Sequence, residues 1–429
     1  MSLGDPAHVV VVGAGAAGLM AACELARAGR RVTILEARDR CGGRIYPLPE
    51  AEFGYRAEGG AEFVHGAAVV TRALMREAGL SLAPRHGTRW STRTGVLAPA
   101  EPLLPHADRF YDVLLAVKED LPVAEFLDAH FAAPRYDELR RWVTRTVEGY
   151  DAADPHRFST IALRDEWLAR DDGEHGRIRE GYGALIAYLE AECRGHGAAI
   201  HLGAEVTAID EAGERIALRC ADGAGVEADA AILAVPLPLL SEIALPPSAC
   251  ERVGAAADIG FGNVIKLLLR FATPWWASLG GRNLADLSFL LSNAPVPTWW
   301  TQHPDPHPVL TGWLAGPKAD RISPLGEGDI VEMGLASLAE IFDLPADRLR
   351  GMLVASRAID WGNDPFARGA YSYVTPKTRA ALSLLRRPDP DGIFISGEAL
   401  YAGPDMRTVE AALASGQETA RTILRGSLA

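Results

Sequence analysis

Apolar positions along this chain follow two rhythms, and the switches between them mark its elements. His8 to Val12 is an unbroken, largely β-branched apolar run, which predicts a buried strand. Gly13-Ala14-Gly15-Ala16-Ala17-Gly18 then opens an alanine- and leucine-rich stretch ending at Gly29, and 31–36 is apolar again, so the reading is strand, turn, helix, strand. From about 81 to 179 the spacing turns helical, as in Phe110-Tyr111-x-x-Leu114-Leu115 and Leu139-x-x-Trp142-Val143, with no comparable strand run. This region is expected to be an inserted, mostly helical one. A helix over 181–192 and strands over 199–202, 216–220 and 230–235 restore the first texture. A second insertion, over about 236–368, carries strands at 264–271, 287–291 and 309–314 and a helix at 329–342. A buried-type strand at 392–396 and a helix at 407–424 close the chain where it began. The pattern predicts an α/β fold of two domains built from discontinuous segments. Residues 7–80, 181–235 and 369–429 form a Rossmann-type dinucleotide-binding domain, and 81–180 with 236–368 form an α+β substrate-binding domain.

With 48% apolar and 23% charged residues among 429, the chain can bury a large core, which excludes wholesale disorder. Acidic residues outnumber basic ones 56 to 43, a formal net charge of −13 that repels phosphate backbones and anionic lipid. Nucleic acid and membrane are therefore poor partners, and a small cation is a good one. The longest uncharged apolar stretch, 9–23, is glycine-interrupted and falls short of the roughly 20 residues a spanning helix needs. No basic segment precedes it, so it is not read as a signal peptide. Five scattered cysteines, an odd number without paired spacing, fit a reduced, cytoplasmic chain and offer no metal-ligand pattern.

The candidate chemistry starts at the glycines. Gly13 permits a tight turn, Gly15 lets backbone approach a pyrophosphate, Gly18 lets helix and strand pack closely, and the helix N-terminus offers N–H groups to the anion. Glu36, ending the second strand, is placed to bind ribose hydroxyls. Directly after it stands Ala37-Arg38-Asp39-Arg40-Cys41-Gly42-Gly43-Arg44, a second glycine pair and arginine for which a nicotinamide-only enzyme has no obvious need. A bulkier, FAD-type ligand does. Lys266, one of only four lysines, lies inside the apolar run Val264-Ile265-Lys266-Leu267-Leu268-Leu269. A lysine buried there needs a reason, whereas strand alternation alone would put its amine on a wet face.

With these marks the chain resembles the flavin-dependent amine oxidase family, whose members include monoamine oxidases, polyamine oxidases, L-amino acid oxidases and histone demethylases. The resemblance rests on five motifs in order along almost the whole chain. They are VVVVGAGAAGLMAA with ILEARDRCGGR, EGGAEFVHG at 58–66, NVIKLLLRF at 263–271, WGNDPFARGAYSY at 361–373 and ISGEALYAGPDMRTVEAALASG at 395–416. In motif details the polyamine oxidase and histone demethylase branch is the most similar. The resemblance implies a glutathione-reductase-like FAD domain, with Glu36 on the adenosine ribose, Arg44 near the pyrophosphate, Val206 presenting its backbone to adenine and Glu398 near the ribityl chain. Ala16, Ala17, Ala37, Arg38, Gly42 and Gly43 would line the cofactor, as would Gly60, Ala61, Glu62, Phe63 and Gly397. Thr408 and Val409 would start a helix whose amides and positive dipole end face the flavin pyrimidine carbonyls and stabilise the anionic reduced flavin.

By the same resemblance Lys266 would stand beside flavin N5 and hold a water, and Trp361 would pack near the isoalloxazine. Tyr371 would be one aromatic wall of the amine cage, with Thr408 where monoamine oxidases keep a second tyrosine. His65 matches a histidine of several polyamine oxidases, with a satisfied core histidine as the other reading. Ala370 stands where monoamine oxidases carry the flavin-linking cysteine, so FAD is expected to be held non-covalently. The implied function is an FAD-dependent oxidase that removes a hydride equivalent beside a primary or secondary amine, with O2 as acceptor and hydrogen peroxide as product. An L-amino acid oxidase or C–C desaturase on the same fold is the alternative among enzymes. Residues 62–64 lack the substrate-carboxylate arginine of amino acid oxidases, which leaves an arginine from elsewhere open. A flavin-binding partner protein is the alternative of another class, although no long helical protrusion for docking is evident. Glu62 and Glu148 are possible acidic partners for a cationic substrate, against the reading of solvated or capped carboxylates. An amine and O2 are the expected partners, with the protein a monomer or homodimer and no metal.

Overall fold

The strand β1 (His8–Val12) is buried at every position, as a strand with both faces covered must be, and it forms the middle of a parallel sheet. It pairs on one side with β2 (Arg31–Glu36), from His8 opposite Arg31 to Val12 opposite Leu35, and on the other with the strand Ala230–Leu233. The five strands run in the order Ile393–Ile395, Ala230–Leu233, β1, β2, Ala199–Leu202, all parallel. The helix α1 (Ala16–Arg27) covers one face together with the helix Tyr182–Gly195 and the last helix, Val409–Arg425. The antiparallel strands Val206–Ala212, Arg215–Cys220 and Gly225–Ala228 pack on the other face through Ile209, Ile216 and Leu218. Sequence segments more than 350 apart in number therefore share one core, as the apolar pattern predicts. The structure, a computed structural model, describes residues 7–93, 95–100, 104–169, 174–213, 215–279, 281–387, 392–401, 403 and 406–426.

The second sheet has seven strands among the described residues, ordered Leu353–Asp360, Val264–Phe271, Val309–Ala315, Thr298–Trp300, Leu287–Leu291, Thr88–Ser91, Ala98–Pro99. Its central strand, Val264–Phe271, alternates. Ile265, Leu267, Leu269 and Phe271 pack with the helix Glu327–Phe342, while Val264, Lys266 and Leu268 face the other way, toward Ala57, Phe53, Ala152 and the dinucleotide-binding sheet's loops. That alternation turns Lys266 toward Gly60 and Glu62.

The stretch 81–179 departs from the sequence reading. It is helical over Ala107–Leu115, Val123–Phe131, Asp137–Tyr150 and Thr160–Leu168, around a core of Phe110, Phe126, Phe131 and Val143. It also contains the strands Leu82–Pro84, Thr88–Ser91, Ala98–Pro99 and Gly176–Ile178. Each is two to four residues long, too short for a period-2 signal to register, and most are held by partners far away in sequence, such as Thr88–Ser91 against Leu287–Leu291, while Ala98–Pro99 joins the sheet edge on Thr88–Ser91. The strand Leu353–Asp360 was unread for another reason, because none of its residues is fully buried and its apolar and polar residues do not alternate.

Candidate active site

The glycine loop is built as its spacing requires. A Cβ on Gly18 would lie 2.0 Å from the Gly13 carbonyl oxygen, so only glycine lets α1 press onto the turn. A Cβ on Gly15 or Gly397 would meet nothing within 4 Å, which leaves an open cradle at the C-terminal ends of β1 and Ile393–Ile395. The N-cap of α1, Gly15, supplies no side-chain cap, so the backbone at Ala16 and Ala17 opens on that cradle without one. Glu36, 5% exposed, accepts from Ala14 N at 2.6 Å through Oε2 and from Arg38 N at 2.9 Å through Oε1. Gly42 N donates to Ala14 O at 2.8 Å and Gly43 approaches Gly15, so the second glycine pair folds onto the first. Ala204 N reaches Glu36 O at 2.8 Å and Gly203 N reaches Arg38 O, which brings Val206 and Ala37 to the same edge. Arg38 is clamped to both oxygens of Asp364, at 2.9 and 2.5 Å. Open backbone at three strand ends, next to a fixed carboxylate, fits a dinucleotide such as FAD.

Arg44 and Glu398, read separately from the sequence, are partners. Arg44 Nη1 donates to Glu398 Oε1 at 3.0 Å and to Ala370 O at 2.6 Å. Glu398 also accepts from Ser372 Oγ at 2.6 Å, so this buried carboxylate ties the second glycine loop to the strand Tyr371–Tyr373. Trp361 is buried with Nε1 donating to Gly59 O at 3.3 Å. Thr408 caps the last helix by accepting from Ala411 N at 3.1 Å, and Val409 begins that helix.

Lys266 is 1% exposed, which removes the wet-face reading. Its ammonium donates to Glu62 Oε2 at 2.8 Å and to Gly60 O at 3.1 Å, with the Trp300 ring centroid 5.5 Å away. Glu62, 8% exposed, is a hub. It also accepts from Arg177 Nε at 2.7 Å, Trp300 Nε1 at 3.1 Å and Gln302 Nε2 at 3.2 Å. Burial opposes its charge, but Lys266 and Arg177 outweigh it and hold the carboxyl down to about 2. Both oxygens of Glu62 are thus taken up by protein donors. Burial raises the carboxyl of Glu148, which is half-buried near Lys318 and Arg321.

On the other side of the strand Tyr371–Tyr373 lies a cluster that sequence reasoning missed. Tyr371 Oη donates to Tyr150 O at 3.0 Å, and burial pushes its hydroxyl well up. Arg407, directly before the cap Thr408 and at φ 63°, meets Asp151 and Glu166, each at 2.5 Å, and lies over the Tyr150 ring. Asp151 is fully buried, and one guanidinium cannot neutralise two carboxylates there, so burial pushes Asp151 up to about 8. His65 sits against His175, Nδ1 to Nδ1 3.3 Å, and beside Phe63. Nothing local flagged Asp151, Glu166, Arg177 or His175, since each is a single polar residue in or beside an ordinary element. Arg407 alone carried a signal, its place next to Thr408.

A family model described as flavin containing amine oxidoreductase matches residues 16–424. The chain belongs to the flavin-containing amine oxidoreductase family. Its cofactor is FAD and its chemistry is amine oxidation, as the glycine cradle and the buried lysine already suggested. Among curated relatives, lysine-specific histone demethylase 2 of Homo sapiens is 26% identical, with 91% of this chain and 50% of the relative covered. Polyamine oxidase 4 of Oryza sativa subsp. japonica is also 26% identical, covering 93% of this chain and 85% of the relative. This chain thus spans half of the demethylase and most of the polyamine oxidase. Cyclohexylamine oxidase from Brevibacterium oxydans superposes with a TM-score of 0.80 at 20% identity, over 98% of this chain and 99% of the other. A putrescine oxidase bound to putrescine gives 0.79 at 22% identity, with the same coverage. These two likenesses carry the fold. Among the described residues no helix is long and apolar enough to cross a membrane.

Proposed function

We propose that this amine oxidoreductase oxidises a small primary or secondary amine with O2, forming an imine that water converts to a carbonyl compound, and hydrogen peroxide. FAD, when bound, accepts the hydride equivalent and passes two electrons to O2. The observation that carries the reading is Lys266, a lysine with 1% exposure anchored to Glu62 and Gly60 on the strand face turned toward the FAD cradle. In this reading Gly13, Gly15, Ala16, Ala17 and Gly18 hold the pyrophosphate, Glu36 the ribose and Val206 the adenine. Arg44, Gly60, Trp361, Glu398, Thr408 and Val409 enclose the rest. Tyr371, fixed through Tyr150, orients the amine, and His65 with His175 lines the approach. The reactive substrate is the neutral amine, whose lone pair assists C–H cleavage, and an alkylammonium has a pKa of about 10, like lysine. The Lys266 charge favours negative charge developing on oxygen in a poorly hydrated site.

Arg407 and Arg177 are each committed to carboxylates, so neither is spare for a substrate carboxylate, which supports an amine over an amino acid. Ala370 has no nucleophile, which supports non-covalent FAD. The two-domain division at 7–80, 181–235 and 369–429 against 81–180 and 236–368, a cytoplasmic location and a monomeric or homodimeric state belong to the same proposal. The division is supported by the segment pairing of the two sheets, and the location by the free thiols of Cys23, Cys41, Cys193, Cys220 and Cys250. Product balance tests the activity. One peroxide and one carbonyl product per amine consumed is expected, and amine loss without peroxide contradicts it.

A further inference from the structure

Hydrogen peroxide needs two electrons and two protons, whereas a hydride carries two electrons and one proton. If this chain is the amine oxidase proposed above, on which the inference rests, one further proton per turnover, balanced overall by the proton that the iminium product releases, must be relayed to the oxygen side. Lys266, buried and hydrogen-bonded to Gly60 O, is the cation that this reading sets beside the oxygen, and an ammonium that gives up a proton there must be recharged. Glu62 is unsuited to that, because Lys266 and Arg177 hold its carboxyl down to about 2 and four side chains occupy its oxygens.

Glu58, four residues earlier, is differently made. It is 7% exposed, and Oε1 accepts from Tyr182 N at 2.7 Å at the start of the helix Tyr182–Gly195. Among the described residues Oε2 is buried without a hydrogen-bond partner, which is costly unless the oxygen has work to do. Glu58 and Glu62 both line a cavity of about 310 Å³ whose floor includes buried Tyr182 and Gln302 and whose rim includes exposed Glu50, Arg56, Arg179 and Asp305. A polar cavity of that size holds water. The groups acting on Glu58 come from several elements. Burial is the largest influence and pushes the carboxyl up to about 7, Lys266 from the central strand pulls it down, and Glu62 pushes it up. The N–H groups of Tyr182 and Gly183 also pull it down. Tyr55, itself stacked on His307, and Arg177 face the same space.

We propose that Glu58 is the proton carrier of the oxygen half-reaction, taking a proton from cavity water at Oε2 and returning it through water toward Lys266 Nζ. No bond other than O–H and N–H is made or broken, and the carboxyl is restored from solvent after each turnover. The rival role is structural, a cap for the helix Tyr182–Gly195, and Glu58→Gln separates the two because glutamine keeps the Oε1 acceptor and loses the proton.

Infrared titration of the FAD-loaded enzyme without substrate should show a protonated-carboxyl stretch that disappears around neutral pH and is absent in Glu58→Gln. In stopped flow, reduced Glu58→Gln should react with O2 about tenfold more slowly, in the range of general acid catalysis, and without the parent's inflection near neutrality. Its anaerobic reduction by amine should stay within about twofold of the parent. Glu58→Asp, which keeps a carboxyl, should shift the infrared midpoint and give an intermediate rate, so the test survives a glutamine variant that does not fold. An unchanged reoxidation rate and pH profile in Glu58→Gln, or no carboxyl titrating near neutrality in the parent, overturns the proposal. Amine-dependent peroxide release by the parent tests the underlying activity separately.

Discussion

Replacing Glu62 with glutamine removes the negative charge between buried Lys266 and half-buried Arg177 while preserving size. The carboxyl is held at about 2 against an ordinary 4.5, and at 1.36 kcal/mol per unit that difference is about 3 kcal/mol of stability at neutral pH. An independent figure agrees, since removing one partner of a buried ion pair costs about 3–5 kcal/mol. Unfolding entropy of about 2.1 cal/mol/K per residue gives about 0.9 kcal/mol/K for 429 residues, so Tm should fall by about 3 °C. Because the folded value lies below the unfolded one, the stabilisation is complete above pH 4.5 and is lost as pH falls through about 2. The gap between parent and Glu62→Gln should therefore be full at pH 7 and narrow in acid. Adding Lys266→Met removes the stranded ammonium and should recover part of the loss, leaving Arg177 as the remainder. Urea and thermal unfolding of the FAD-loaded proteins measure all three. A Glu62→Gln protein that melts with the parent at neutral pH, or a double variant whose loss is the sum of the singles, refutes the buried hub.

Acid precipitation should leave the yellow colour in the supernatant, because Ala370 offers no attachment atom, and colour retained in a washed pellet contradicts this. Lys266→Met should slow reoxidation by O2 at least about tenfold, or roughly 1.4 kcal/mol of barrier, with a smaller effect on reduction by amine, and stopped flow separates the two steps. Asp151 has its folded value raised to about 8 from 3.8, so its stability cost accrues as pH rises between those values. Asp151→Asn should match or fall below the parent near pH 4 and gain on it toward pH 8, read from urea midpoints, and a constant difference across that range counts against a buried neutral carboxyl.

The fold was legible where a signal is local and long. The glycine loop, β1 and the last helix each announce themselves within a dozen residues, and their pairing follows from the fixed chemistry of a parallel sheet. Lys266 was legible for the same reason, as a charge inside an apolar strand. Glu62 was named with its alternatives open, a possible partner for a cationic substrate or a solvated or capped carboxylate, because its donors Arg177, Trp300 and Gln302 come from strands and loops more than 100 residues away. Asp151 was illegible singly, and Arg407 carried no signal beyond its place beside Thr408. An acid ending the helix Asp137–Tyr150 and an arginine preceding Thr408 gain meaning only when the fold closes a separation of 256 in number. Strands of two to four residues, such as Ala98–Pro99, were lost because they borrow their structure from the sheet they join.

The central claim is that this chain uses FAD to oxidise amines, and an anaerobic titration tests it most directly. The FAD-loaded protein should lose its visible absorbance with a small primary or secondary amine, faster as pH rises from neutral toward alkaline, and recover it on admission of O2 with one peroxide per flavin. Absorbance that persists across a panel of mono-, di- and polyamines, while an amino acid bleaches it, would contradict the account.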